Sequence, residues 1–168
     1  MIRIGIIGAG PNGTGNARNL AAHTQRCRIT AVADPDRAAG ENLAAAHNAR
    51  AVREPADMFD VVDAVVISSP NALHTAHAVL CADAGKHVWI EKPMALTIAD
   101  ADRIVAAVER AKVASFVGFS VRFDAVMQGM RRLYDEGVVG RLVTLWSRRL
   151  NCPAGQPRKS WRSAYATS

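Results

Sequence analysis

Gly8-Ala9-Gly10-Pro11-Asn12-Gly13 follows a short apolar run, Ile2 to Ile7, and precedes a helical pattern, Asn16 to His23. Strand, glycine turn and helix in that order make the G-x-G-x-x-G pattern of a dinucleotide-binding loop. Gly8 permits a tight turn out of the strand. Gly10 lets a diphosphate approach the backbone, and Gly13 lets the new helix pack close to the strand. The loop as a whole, Pro11 and Asn12 included, is the candidate diphosphate cradle. The helix then aims its free N–H groups and its positive end at the phosphates. That field contributes roughly 0.3–2 kcal/mol, so it orients an anion more than it supplies the whole affinity. Glycines in this spacing also mark ordinary turns, so the surrounding residues have to decide.

Outward from this loop, strands and helices alternate. Arg28–Ala33 reads as a second strand, ending at Asp34-Pro35, with a helix from Asp36 to about His47. Arg50–Val52 is a brief strand and Pro55–Phe59 a short helix. Asp63–Ser68 is a buried strand broken by Ser69-Pro70-Asn71, with a helix from about Ala72 to Ala84 and Gly85 as its stop. His87–Ile90 is the next strand. Thr97 and Asp100 have capping-box-like spacing before a long amphipathic helix to Lys112, and Ser115–Gly118 closes the series. Short branched apolar strands alternating with helices predict an α/β fold, a Rossmann-type doubly wound parallel sheet. A ligand is expected at the carboxyl ends of the strands. The glycine turn, Asp34, Ser68–His74 and Glu91-Lys92-Pro93 all fall there.

After Gly118 the rhythm changes. Arg122–Glu136 reads as a helix stopped by Gly137, and Arg141–Leu150 as a strand with apolar residues on both faces. Asn151–Ser168 has no clear period. The expected organisation is a dinucleotide domain over residues 1–120, then residues 121–168 as the truncated start of a second α/β domain.

Composition narrows the function classes. Apolar residues make up 49% of the chain, which excludes general disorder. No apolar run approaches the ~20 residues of a membrane helix, and Met1 leads straight into a strand with no signal peptide. Cys27, Cys81 and Cys152 have no metal-ligand or C-x-x-C spacing, so reduced thiols and a cytoplasmic location are expected, with no membrane partner. The net charge of +6 comes entirely from residues 122–168, where nine Lys/Arg face three acids. No nucleic-acid motif accompanies those charges, so the basic end reads as a segment parted from an acidic surface rather than a nucleic-acid site.

Each rim residue carries two readings. Asp34 can accept hydrogen bonds from adenosine ribose hydroxyls and repel a 2′-phosphate, favouring NAD over NADP; it can also simply cap the helix after Pro35. Arg37 complicates the preference, because a guanidinium can bind that phosphate. Lys92 can stabilise alkoxide charge on a substrate, with Glu91 positioning it, or can form a surface ion pair. Ser69, Asn71 and His74 can reach the nicotinamide ribose; Asn71 can instead cap a helix and His74 sit partly buried. His74 and His77 share a helix face but lack a third ligand, so no metal is expected.

Taken together, RIGIIGAGPNG (3–13), AVADPD (31–36), SSPNALHTAHAVLCADAGKHVWIEKPMALT (68–97) and VGFSVRFDAVMQGMRRLYDEGVVGRLV (117–143) resemble the Gfo/Idh/MocA family of glucose–fructose oxidoreductases and inositol dehydrogenases. AGKHVWIEKP (84–93) after PNALH is the most specific part. The resemblance implies NAD(P), a sugar or polyol substrate, and hydride transfer at an alcohol carbon. It implies a second domain that builds a homo-oligomer when complete. By it, Lys92 is catalytic; Asn71, His74 and Glu91 lie at the nicotinamide side; and Arg122 joins the cofactor contacts where the linking segment opens. Trp161-Arg162 is a weaker match to a pair near the cofactor.

Three departures stand out: Pro11 and Asn12 in the glycine loop, Asn16 where histidine is common, and the absence of the family's aspartate–histidine segment. The last predicts a chain that binds NAD(H) but turns over little. A non-catalytic dinucleotide sensor pairing through the edge of Arg141–Leu150 is the alternative, and a transient sugar oxidation that cleaves a glycoside is a third.

Overall fold

A computed structural model of the chain describes residues 1–146. Two compact units divide the chain, Met1–Gly118 and a second that begins at Phe119. In the first, β1 (Ile2–Ile7), β2 (Cys27–Ala33), β3 (Arg50–Val52), β4 (Ala64–Ile67), β5 (His87–Ile90) and β6 (Ser115–Val117) form one sheet in the order β3-β2-β1-β4-β5-β6. Every pairing is parallel. The helices are α1 (Pro11–Ala21), α2 (Arg37–Ala45), α3 (His74–Asp83) and α4 (Ile98–Ala111). This is the expected Rossmann-type doubly wound sheet.

The two-residue period of the strands explains why both faces are covered. Ile6 and Val66 point into one cluster with Ala17 of α1 and with Leu43 and Ala44 of α2. Ile7, Val65 and Ile67 point into the other with Ala78 and Cys81 of α3 and Ile104 of α4. Burying each such Ile or Val stabilises by ~1.5–3 kcal/mol, so a strand apolar on both faces is held between two helical layers. The chain winds outward from β1 to β3 and restarts on the other side at β4. The strand order therefore reverses between β1 and β4, and a crevice opens beyond their carboxyl ends.

Several boundaries differ from the sequence reading. α1 begins at Pro11, inside the glycine loop, because proline at the first helical position has no N–H to lose. The cap of α2 is Asp36, whose carboxylate accepts from the N–H groups of Ala38 and Ala39 at 3.0 and 3.2 Å, and not Asp34. The segment after Pro70 opens with a 3-10 turn, Asn71–Leu73, before α3. Thr97 caps α4 as its spacing predicts, accepting from Asp100 N–H at 3.1 Å.

In the second unit, a 3-10 turn over Ser120–Phe123 precedes α5 (Ala125–Asp135), capped by Asp124. The single helix expected over Arg122–Glu136 is broken there, because the Asp124 backbone is extended. Residues 141–146 form no strand. The rest of the predicted strand to Leu150 lies outside the described residues, as do Cys152 and Trp161-Arg162. No helix among the described residues is long and apolar enough to cross a membrane.

The amino ends of β1 and β4 are tied by charge. Arg3 donates from Nε and Nη2 to Asp63 Oδ1 at 3.1 and 2.6 Å, and its backbone N–H donates to Oδ2 at 2.8 Å. The Arg3 side-chain bonds hold the Asp63 carboxyl down from 3.8 to about 2. A lowered carboxyl pKa stabilises the fold above about pH 4 and loses that contribution as pH falls toward 2. Thermal midpoints measured from pH 5 to 2 are therefore expected to fall more steeply for the native chain than for Asp63→Asn. Equal slopes would show the pair contributes nothing.

Candidate functional site

The glycine loop turns where β1 and β4 end, and the space there is tight. Gly8 has φ +94°, and a Cβ on it would lie 2.7 Å from the Ser68 carbonyl oxygen. A Cβ on Gly13 would overlap the carbonyl oxygen of Gly8. Gly10 is the opposite case: a Cβ there would meet nothing within 4 Å. So Gly8 and Gly13 let two backbone segments touch, while Gly10 leaves an approach open. Gly10 is also the N-cap of α1, with no side chain bonded to the first turn and no acidic residue in it. The N–H groups of Asn12 and Gly13 thus head a helix whose positive end has no side-chain partner.

Asp34, at the end of β2, holds this turn from the side. Its Oδ2 accepts from Ala9 N–H at 2.6 Å and its Oδ1 from Asp36 N–H at 2.8 Å. Each carboxylate oxygen keeps a further lone pair for another donor. Asp34 borders a pocket of about 430 Å³ that also touches Arg37, Gly40, Val52 and Arg53. Arg37 is extended along its own helix, with Nε 2.7 Å from Glu41.

Two turns follow β4 and β5. Ser69 is buried, and its Oγ lies 2.9 Å from His77 Nδ1. Burial, and then the neighbouring His74, push the His77 pKa below its ordinary value. His74 is 1% exposed; its Nδ1 lies 2.7 Å from the Pro93 carbonyl oxygen and its Nε2 2.9 Å from that of Ser69. The ring therefore lies between the β4 turn and the β5 turn, each nitrogen within hydrogen-bond distance of a carbonyl oxygen. Asn71 opens the 3-10 turn between them, half-buried.

Glu91 is half-buried and Lys92 exposed. Lys92 makes no ion pair with any described residue, so the surface-pair reading finds no partner there. Its peptide bond to Pro93 is cis. Glu91 Oε1 accepts from Asn16 Nδ2 at 2.8 Å, and Asn16 Nδ2 also reaches Ser68 Oγ at 3.1 Å. Nearby, Trp89 Nε1 is buried with no hydrogen-bond partner among the described residues, and a Cβ on Gly118 would lie 3.0 Å from it.

One rim of the first unit thus carries the glycine loop, Asp34, Ser69, Asn71, His74, Glu91 and Lys92. Arg122 lies in the second unit, its guanidinium 5.5 Å from the Phe119 ring. Sequence reasoning noticed Asn16 only as a departure and missed its bonds to Ser68 and Glu91, because which strand ends α1 packs against follows only from the sheet order. No cluster of metal-ligating groups occurs among the described residues.

Comparison with known proteins agrees with the fold. The Gfo/Idh/MocA family model, described as an oxidoreductase family with an NAD-binding Rossmann fold, matches residues 2–119. Inositol 2-dehydrogenase 1 of Saccharopolyspora erythraea is 38% identical over 144 residues, covering 83% of this chain and 43% of that protein. The 2,7-anhydro-N-acetylneuraminate hydratase of Escherichia coli is 32% identical, covering 96% and 43%. Among solved structures, the WlbA dehydrogenase of Bordetella pertussis, in complex with NADH and UDP-GlcNAcA, superimposes with a TM-score of 0.80 at 33% identity, covering 83% and 41%. The chain spans less than half the length of the curated relatives it matches.

The loop geometry separates two glycines that look equivalent in sequence. Gly13→Ala is expected to destabilise the fold by ~2 kcal/mol or more through overlap with Gly8, whereas Gly10→Ala is expected to stay within ~0.5 kcal/mol of the native chain. Denaturant unfolding of the two variants checks this; equal losses would contradict it.

Proposed function

The chain belongs to the Gfo/Idh/MocA oxidoreductase family, and from that premise we propose that its first unit binds NAD(H) along the carboxyl rim of the sheet. The observation that carries the reading is the uncapped first turn of α1, opening on free space at Gly10 where the strand order reverses. Its amides hold the diphosphate, as helix N-termini do for phosphates generally. The spare lone pairs of Asp34 accept from the adenosine ribose hydroxyls, and its charge disfavours a 2′-phosphate. Arg37 is engaged with Glu41 through Nε alone, so its free Nη donors are the groups through which a 2′-phosphate would compete with Asp34. Ser69, Asn71 and the turns tied by His74 shape the nicotinamide side.

The whole protein is proposed to act on a sugar, cyclitol or related alcohol. Bound nicotinamide supplies hydride exchange with the alcohol carbon. Lys92 presents its ammonium to the alcohol oxygen and stabilises charge there as the proton leaves. Glu91 sets the turn that carries Lys92. His74, enclosed between two carbonyls, has no free nitrogen for a substrate, so we place the proton acceptor outside the described residues. The described residues are accordingly expected to bind the dinucleotide without themselves supplying the proton acceptor.

Calorimetric titration of the chain with NADH and NADPH tests the reading. NADH is expected to bind at least ~10-fold more tightly, a difference of ~1.4 kcal/mol. Absence of NADH binding would overturn the proposal, and tighter NADPH binding would overturn the role given to Asp34.

A further inference from the structure

Asn16 lies on the inner side of α1, 9% exposed. Its Nδ2 bridges the ends of two strands, donating to Ser68 Oγ after β4 at 3.1 Å and to Glu91 Oε1 after β5 at 2.8 Å. The other carboxylate oxygen, Glu91 Oε2, accepts from the Lys92 backbone N–H at 3.3 Å. A carboxylate can only accept, so the nitrogen end of the Asn16 amide must face it. These bonds form a continuous path from α1, through Glu91, to the backbone of Lys92. No ion pair to Glu91 joins it among the described residues, and the nearby indole Nε1 of Trp89 has no partner there.

We propose that Asn16 is a positioning residue: by holding Glu91, it fixes the Glu91–Lys92 turn against the helix whose first turn carries the diphosphate. The functional half of this rests on the NAD(H) reading above. The structural half does not. Because one amide touches the ends of β4 and β5 from α1, the phosphate-binding helix and the lysine-bearing turn are set in a single register. Losing the donor frees Glu91 to rotate, and the Lys92 N–H then loses its acceptor.

The geometry allows a swap of donor and acceptor. Asn16→Asp removes the donor at almost constant shape and puts two carboxylates face to face. Adding Glu91→Gln restores a pair with the roles exchanged. The new amide at position 91 donates to the new carboxylate at position 16, and its carbonyl oxygen stands where Oε2 accepted from Lys92.

The test measures amide hydrogen exchange in the full 168-residue chain without nucleotide, and NADH affinity by the fluorescence of the reduced nicotinamide. In N16D, exchange at Lys92 is expected to rise about tenfold, equivalent to one lost hydrogen bond. The Glu91 N–H, which donates to Ile67 at 3.0 Å in the sheet, stays protected and reports an intact fold. NADH affinity falls about tenfold, and both effects return to within about threefold in N16D/E91Q.

If N16D also exposes the Glu91 N–H, Asn16→Ala serves instead, with Lys92 exchange expected to rise at least about threefold. Unchanged Lys92 exchange, a double variant no better than the single, or faster exchange with unchanged NADH affinity would each overturn the proposal. A native chain that binds no NADH counts against the proposed function, and the exchange measurement then decides the role of Asn16 alone.

Discussion

Two backbone segments meet with no room for a side chain between them, and the rest of the rim follows from that contact. The first turn of α1 lies so close to Gly8 that a methyl group at residue 13 would overlap a carbonyl oxygen, while Gly8 itself is pressed against the backbone of Ser68. This brings a helix N-terminus onto the point where the strand order reverses. Among the described residues no side chain bonds to its first turn, and a Cβ at Gly10 would meet nothing within 4 Å. A helix N-terminus is common; one left uncapped at a sheet's switch point, with the approach clear, is an arrangement suited to a diphosphate.

Three polar ties convert that contact into a shaped edge. Asp34 links the glycine turn to the start of the next helix through Ala9 and Asp36. Asn16 links α1 to the ends of β4 and β5. His74 links the turns after those same strands through Ser69 and Pro93. Each tie joins elements distant in sequence, and each uses a buried or half-buried group whose partners exist only once the sheet has formed. A hydrogen bond involving a charged group contributes ~1.5–3 kcal/mol, enough to keep a turn in one conformation but not to build the sheet. The apolar layers on both faces do that.

The parallel sheet was legible because buried strands announce themselves. Ile2–Ile7 and Ala64–Ile67 are mostly branched and apolar, and Gly8 and Ser68-Ser69-Pro70 mark where they stop. The rim position of Asp34, Glu91 and Lys92 followed from the ends of β2 and β5. Finer features were hidden for physical reasons. Pro11 belongs to α1 because proline suits a first helical turn, yet its glycine neighbours read as loop. Asp34 and Asp36 compete for one cap, and only the path of the chain after Pro35 decides between them. His74 could reach the nicotinamide ribose by its place after β4, but two carbonyl oxygens from separate turns enclose it. Beyond Gly118 the apolar residues on both faces of Arg141–Leu150 suggested a strand, yet a strand needs partners, and residues 141–146 pair with none among the described residues.

The central claim is that a dinucleotide's phosphates rest on the first turn of α1. The most direct measurement is a nitrogen-15 amide map of the chain titrated with NADH. The account predicts the largest shifts at Gly10, Asn12 and Gly13, with Ala9 following because Asp34 holds its N–H. Largest shifts elsewhere, with those four amides unmoved at saturation, would contradict it.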